Sequence, residues 1–180
     1  GPLTLYNNAV IQSNLLINSN LTAINITTLC NNTNIYGILT QYNNSIFQSN
    51  ILGNNNLAIV GVSTLCNTTN VFGVLTVNNN AIIQSNLNVN SNLTVAYNST
   101  LNCNVIINGP FTVNNNSTLN SNLDVYGVQT LYNNAIYNSN VTINSNLTVF
   151  QNTTLSNSLL VYGITTINNN VIIQSNLNVN

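Results

Sequence analysis

Apolar and polar residues follow one another along this chain in a frame of six. Residues 75–92, LTVNNN AIIQSN LNVNSN, show it plainly, with an apolar residue at positions 1 and 3 and Asn usually at position 6. From Leu3 onward every residue falls into the frame without insertion, through 29 complete hexads to Asn176 and a partial one from Leu177. Position 3 is Leu, Ile or Val in 25 of the 30, the exceptions being Ala23, Gln41, Phe47, Gly53 and Tyr137. Apolar–polar–apolar over three residues is a short strand with two side chains in and one out. The β-branched residues common there suit strands. Positions 4 to 6 read NSN, QSN, YNN or YGI. Asn and Gly tolerate positive φ, which predicts a sharp corner after each strand.

Two longer periods lie over the hexad. Position 1 is large in the first hexad of each triplet, as in Leu3, Leu21, Leu75 and Phe111. It is small in the second, as in Ala9, Ser45, Ser63 and Ala81, and mixed in the third. Residues 3–38, 39–74, 75–110 and 129–164 align as copies of 36, and 111–128 is a half copy. The half copy keeps the phase of 18, which makes 18 residues the structural turn. Three strands and three corners per turn predict an all-β, triangular parallel β-helix, or β-solenoid, of about ten coils. Coils should stack at the parallel-strand spacing of about 4.8 Å. An intertwined trimeric β-helix is the alternative. It would place three copies of one hexad type in each layer, whereas one chain per coil mixes large, small and intermediate residues and fills each layer evenly.

The pattern of small residue, any residue, aliphatic, every six, as in AIIQSN at 81–86 and STLCNT at 63–68, resembles the hexapeptide-repeat parallel β-helix family. Acyltransferases of that family use a catalytic His, and this chain has none. Repeats such as LTVNNN also look like the stems of phage and giant-virus fibre proteins. The resemblance implies a solenoid rod. Residues 1–180 are expected to be a single repeat segment excerpted from a longer repeat chain or filament.

Composition narrows the role. There is no Lys, Arg, His, Met or Trp, and Asp124 is the one charged side chain. An ordinary soluble domain is about a quarter charged, so a chain this neutral is expected to live assembled, with itself as partner. Phosphate neutralisation needs Lys or Arg, which argues against nucleic acid. No apolar run reaches the ~18 residues of a spanning helix, so membrane insertion is not expected. Without His or Lys there is no general base to activate a nucleophile, and no enzyme activity, metal site or cofactor is expected. Cys30 and Cys66 lie two coils apart at one corner, about 9.6 Å by strand spacing, beyond the ~7 Å Cα limit of a disulfide. Asp124, at position 2, reads as a surface carboxylate.

Position 2 should face outward, and its columns supply the candidate sites. The first side carries Thr at nearly every coil, from Thr4 to Thr166. This is a stacking ladder or, as a further alternative, an ice-binding rank. On the second side Val10, Ile46, Ile82, Ile136 and Ile172 alternate with Thr, and on the third side stand Leu16, Leu52 and Leu160. Aliphatics repeated at fixed spacing on an outer surface mark an assembly interface. Several N-x-S/T triplets occur, among them those at Asn20, Asn92, Asn98, Asn140 and Asn146, which would accept glycans on a secretory route. The expected function is structural: a rigid extracellular or virion-surface filament. The alternative is the stem of a receptor-binding tail fibre or adhesin.

Overall fold

The computed structural model describes residues 1–180 and contains thirty strands of three residues each, with no helix. β1 (Leu3–Leu5), β2 (Ala9–Ile11) and β3 (Leu15–Ile17) occupy three successive sides, and β4 (Leu21–Ala23) returns to lie parallel on β1. The pattern repeats to the end of the chain and forms three parallel sheets of ten strands. Residue i pairs with i+18 throughout, as in Leu75 with Leu93 and Ala81 with Ser99. One chain therefore completes every coil. The intertwined-trimer alternative, in which each layer would draw on three chains, does not describe this chain.

The frame read from the sequence sets burial. All 49 buried residues stand at position 1 or 3 of a hexad. From Leu21 to Val161 every position 1 and 3 is buried, because each such side chain has a coil above and below it. The lumen is one continuous cluster of 37 hydrophobic residues. Removing a side chain such as Ile83 from water contributes ~1.5–3 kcal/mol, repeated along the rod.

Layers are filled by compensation, as close packing requires. Phe47, the large exception at position 3, shares its coil with Gly53, which contributes no side chain. Tyr137 shares its coil with Ala135, and Phe111 with Ser117. Gln41 is paired in register with small Ala23. The space lets its amide nitrogen donate to the Asn25 carbonyl within the lumen. The half copy 111–128 keeps the same columns, with Phe111 between Leu93 and Gln129.

The corners turn in a way the sequence did not foretell. No residue, Gly included, has positive φ, so the expected left-handed corners are corrected. The turn is spread over the three residues of the corner, all with negative φ, and Asn serves another purpose. N–H groups at positions 1 to 4 all enter the coil-to-coil ladder, as in Leu75 to the Asn92 carbonyl (3.0 Å) and Asn78 to the Ile59 carbonyl (2.8 Å). Apart from Gly109, the N–H groups at positions 5 and 6 are left over from this ladder, and backbone donors need a partner. At many corners an Asn side chain supplies one for position 6. Oδ1 of Asn20, Asn56 and Asn146 accepts from the N–H of Ile38, Val74 and Ile164 one coil on (2.8–2.9 Å). Elsewhere the position 5 Asn of the same corner accepts instead, as Asn43 does from Asn44 (2.9 Å).

This capping explains a glycine. A Cβ on Gly37 would lie 2.3 Å from Asn20 Oδ1 and 2.5 Å from the Ser19 carbonyl carbon. Gly at that corner is thus required by close approach of the coil below, not by its freedom in φ.

Candidate functional site

The ladder that fixes the lumen also fixes what faces out, since position 2 lies between two buried neighbours on a rigid strand. The resulting columns run parallel to the axis. On the first side Thr stacks on Thr, as in Thr76 on Thr94 on Thr112. It forms a single half-buried rank over the interior coils.

The second side carries the predicted alternation. Ile46 and Ile82 flank Thr64, and Ile136 and Ile172 flank Thr154. Val10 (64 % exposed) and Ile172 (56 %) lie in the first and last coils, and Ile46 (37 %) and Ile136 (39 %) in interior ones. Ile82 is half-buried. The third side holds Leu16, exposed, and Leu52 and Leu160, half-buried. Ile106, 41 % exposed, belongs to the same column. It was missed in the sequence because it breaks the two-coil alternation, with Asn88 standing where the next aliphatic would fall.

Shallow grooves accompany both columns. One, of about 320 Å³, runs past Ile136, Thr154 and Ile172 with Asn134, Asn152 and Asn170 along its edge. The other, of about 390 Å³, runs past Asn34, Leu52 and Asn70 with Asn32 and Asn50 along its edge. Each is a furrow between an outward column at position 2 and the Asn column of the preceding corner. The walls offer amides and aliphatic carbons and no charge.

The corner between the second and third sides is polar and bonded to itself. Asn120 Nδ2 donates to Asn102 Oδ1, and Asn138 Nδ2 to Asn120 Oδ1, each at 2.8 Å. Hydroxyls of Ser121 and Ser139 donate to Asn104 and Asn122 (3.0 and 2.9 Å). Cys30, Cys66 and Cys103 lie along this corner, free and half-buried. The Cys103 thiol donates to the Gln84 carbonyl one coil back (3.0 Å). At another corner Asn25 Nδ2 donates likewise to the Tyr6 carbonyl (2.8 Å). Cys103 therefore fills a corner donor's place.

The sequon residues Asn20, Asn92, Asn98, Asn140 and Asn146 are all exposed at position 6. Asn20, Asn98 and Asn146 use Oδ1 to accept from the next coil's backbone. Asp124 is half-buried between Ile106 and Thr142. No three His, Cys, Asp or Glu side chains converge as metal ligands, and no helix is long and apolar enough to cross a membrane.

The lumen holds polar groups as well. Ser45, Ser63, Ser99, Ser117 and Thr153 place hydroxyls without partners along one inner column. Gln129 leaves its amide nitrogen and oxygen unpaired, and Tyr137 its hydroxyl, within a single coil. Burial pushes the Tyr137 phenol well above its ordinary pKa, because no group near it compensates a phenolate for lost water.

Sides, lumen and corners together define a three-sided, single-chain parallel β-solenoid whose outward chemistry is neutral and columnar. No family model matches the chain, and no curated protein or solved structure similar to it was found.

Proposed function

We propose that this chain is a structural rod, a stretch of a rigid extracellular or virion-surface fibre built by stacking solenoid coils and associating with further copies of itself. The observation that carries this is the unbroken ladder. Each pair of stacked strands shares two backbone hydrogen bonds, with one more on either flank, on all three sides from the first coil to the last. Such a stack bends only by breaking bonds on one side, and each coil contacts only its neighbours. The 18-residue half copy passes through without a kink in register, as expected where length can change by whole coils.

The outer surface supports association. It carries almost no charge to hold copies apart, and its aliphatic columns and amide-edged grooves repeat along the axis, so one copy can seat on another at many equivalent heights. The repeat's likeness to fibre-stem sequences supports the reading of a rod outside the cell or on a virion.

Electron microscopy of the purified chain over a range of concentrations tests the proposal. Rods of constant width are expected, lengthening or pairing as concentration rises, with a diffraction repeat of about 4.8 Å along the long axis. Globular or irregular particles would overturn the rod. A monodisperse monomer at high concentration would overturn the association. Immunogold labelling restricted to the cell interior would overturn the location.

A further inference from the structure

We propose that the corner between the third and first sides is a binding edge for an extended, neutral, β-1,4-linked polysaccharide lying parallel to the solenoid axis. Four aromatic residues, Tyr36, Phe72, Tyr126 and Tyr162, occupy position 4 at this corner. Their exposures, 55, 53, 56 and 52 %, are nearly the same. Each is anchored by its own N–H, which donates at 2.9 Å to the strand one coil back: Tyr36 to Ile17, Phe72 to Gly53, Tyr126 to Ile107 and Tyr162 to Ile143. The spacing of the ring platforms is thereby set by the backbone. It is two coils, about 9.6 Å, within each pair and three coils, about 14 Å, between the pairs. Those intervals approximate two and three sugars of an extended β-1,4 chain.

Stability does not explain the rings. Tyr132 and Phe150, on adjacent coils of another corner, stack in parallel at 5.0 Å and cover each other's faces. Rings two coils apart, about 9.6 Å, cannot do so. The glycines that follow them make room for the coil below, yet Gly109 performs that task after Asn108. An aromatic at position 4 is therefore not required by the turn.

The rest of the edge fits a sugar chain. Asn90, Asn108 and Asn144 stand at position 4 on coils between the rings, as does Asn54, whose Nδ2 is shielded from solvent. Asn108 Nδ2 donates to Asn90 Oδ1 at 2.8 Å, which aligns amides across the three-coil gap. Flat aromatic faces receive the C–H face of a pyranose, and amides exchange hydrogen bonds with its hydroxyls. With no cation on the chain, acidic glycans and nucleic acids gain no attraction here.

Depletion binding to insoluble cellulose, to chitin and to an α-1,4-glucan tests this. The parent chain is expected to bind cellulose or chitin, the two arms naming the sugar, and to leave the α-glucan in solution. Replacing all four rings with Ala should weaken binding about tenfold or more, with circular dichroism unchanged. Tyr→Phe at 36, 126 and 162 keeps the ring faces and should retain binding even if the Ala variant misfolds. Tyr42→Ala with Tyr132→Ala, at a different corner, should also retain it. No binding to either β-glucan, equal binding to the α-glucan, or loss in the Tyr→Phe or Tyr42/Tyr132 variants would each overturn the proposal.

Discussion

Replacing Tyr137 with Phe should stabilise the rod, and by more at high pH than at neutral pH. The ring lies in the lumen, 1 % exposed, and its hydroxyl has no hydrogen-bond partner. Leaving a hydroxyl buried and unpaired costs about 1–3 kcal/mol. The substitution removes that cost while keeping the ring that fills the layer beside Ala135. Burial also raises the folded-state pKa of the phenol. In the unfolded chain the same phenol releases its proton near pH 10. Tyr137 is therefore protonated in both states below pH ~10 and stability does not depend on it there. Above that pH only the unfolded chain loses the proton, so stability falls, by about 1.4 kcal/mol at pH 11. The exposed tyrosines are shared by both proteins and cancel in the comparison. Denaturant melts of parent and variant at pH 7 and pH 11 read both effects. The variant should be more stable at pH 7, with the gap widening at pH 11. A variant less stable at pH 7, with a gap that does not move with pH, would refute the reasoning and show that the hydroxyl is satisfied, with Gln129 of the same coil as the first partner to examine.

Other substitutions probe the frame and the corners. Ile83→Asp places an unpaired carboxylate between Leu65 and Leu101 and should cost several kcal/mol; a variant that melts like the parent would mean position 3 does not face the lumen. Gly53→Ala meets only ordinary contacts at 3.7 and 3.9 Å and should be neutral or stabilising by about 0.4–1 kcal/mol through the unfolded state. Gly127→Ala would press a methyl to 2.5 Å from the Gly109 backbone and should lower the melting temperature clearly. Equal effects of these two Ala variants would refute the assignment of close approach to the corner.

The lumen was legible because burial on a strand has a period of two and the hexad never slips. Each buried residue was identifiable from its place in the frame, including polar Ser45 and Thr69. The exceptions at position 3 were visible as exceptions, but their reasons were not. Gly53 falls in the same coil as the bulky Phe47, on a different side, and Gln41 is in register with small Ala23, 18 residues away. The corners misled because Asn suggests positive φ by propensity, while the need it meets is an unpaired N–H on the next coil. The outer columns follow from the same frame, since position 2 lies between two buried neighbours. Their exposure was not readable, since Ile82 and Leu52 are shielded by flanking residues of the coils on either side. The aromatics of the third corner carried a signal in the recurring YGI, FGV, YGV and YGI at 36, 72, 126 and 162. It gained meaning only when the ladder showed those rings to share one edge.

The central claim is that one chain closes each coil, so that residue i lies directly beside i+18. Engineered disulfides test it most directly, in a background with Cys30, Cys66 and Cys103 replaced by Ser. Thr76 and Thr94 are outward partners in register, about 4.8 Å apart, inside the Cα range of a disulfide. Thr76 and Ile82 lie on different sides of the rod. Thr76→Cys with Thr94→Cys should close an intramolecular bond under mild oxidation, seen as a mobility shift on a non-reducing gel at monomer mass, and Thr76→Cys with Ile82→Cys should not. Cross-linking of the 76/82 pair into dimers and trimers, with the 76/94 pair left reduced, would contradict the single-chain solenoid.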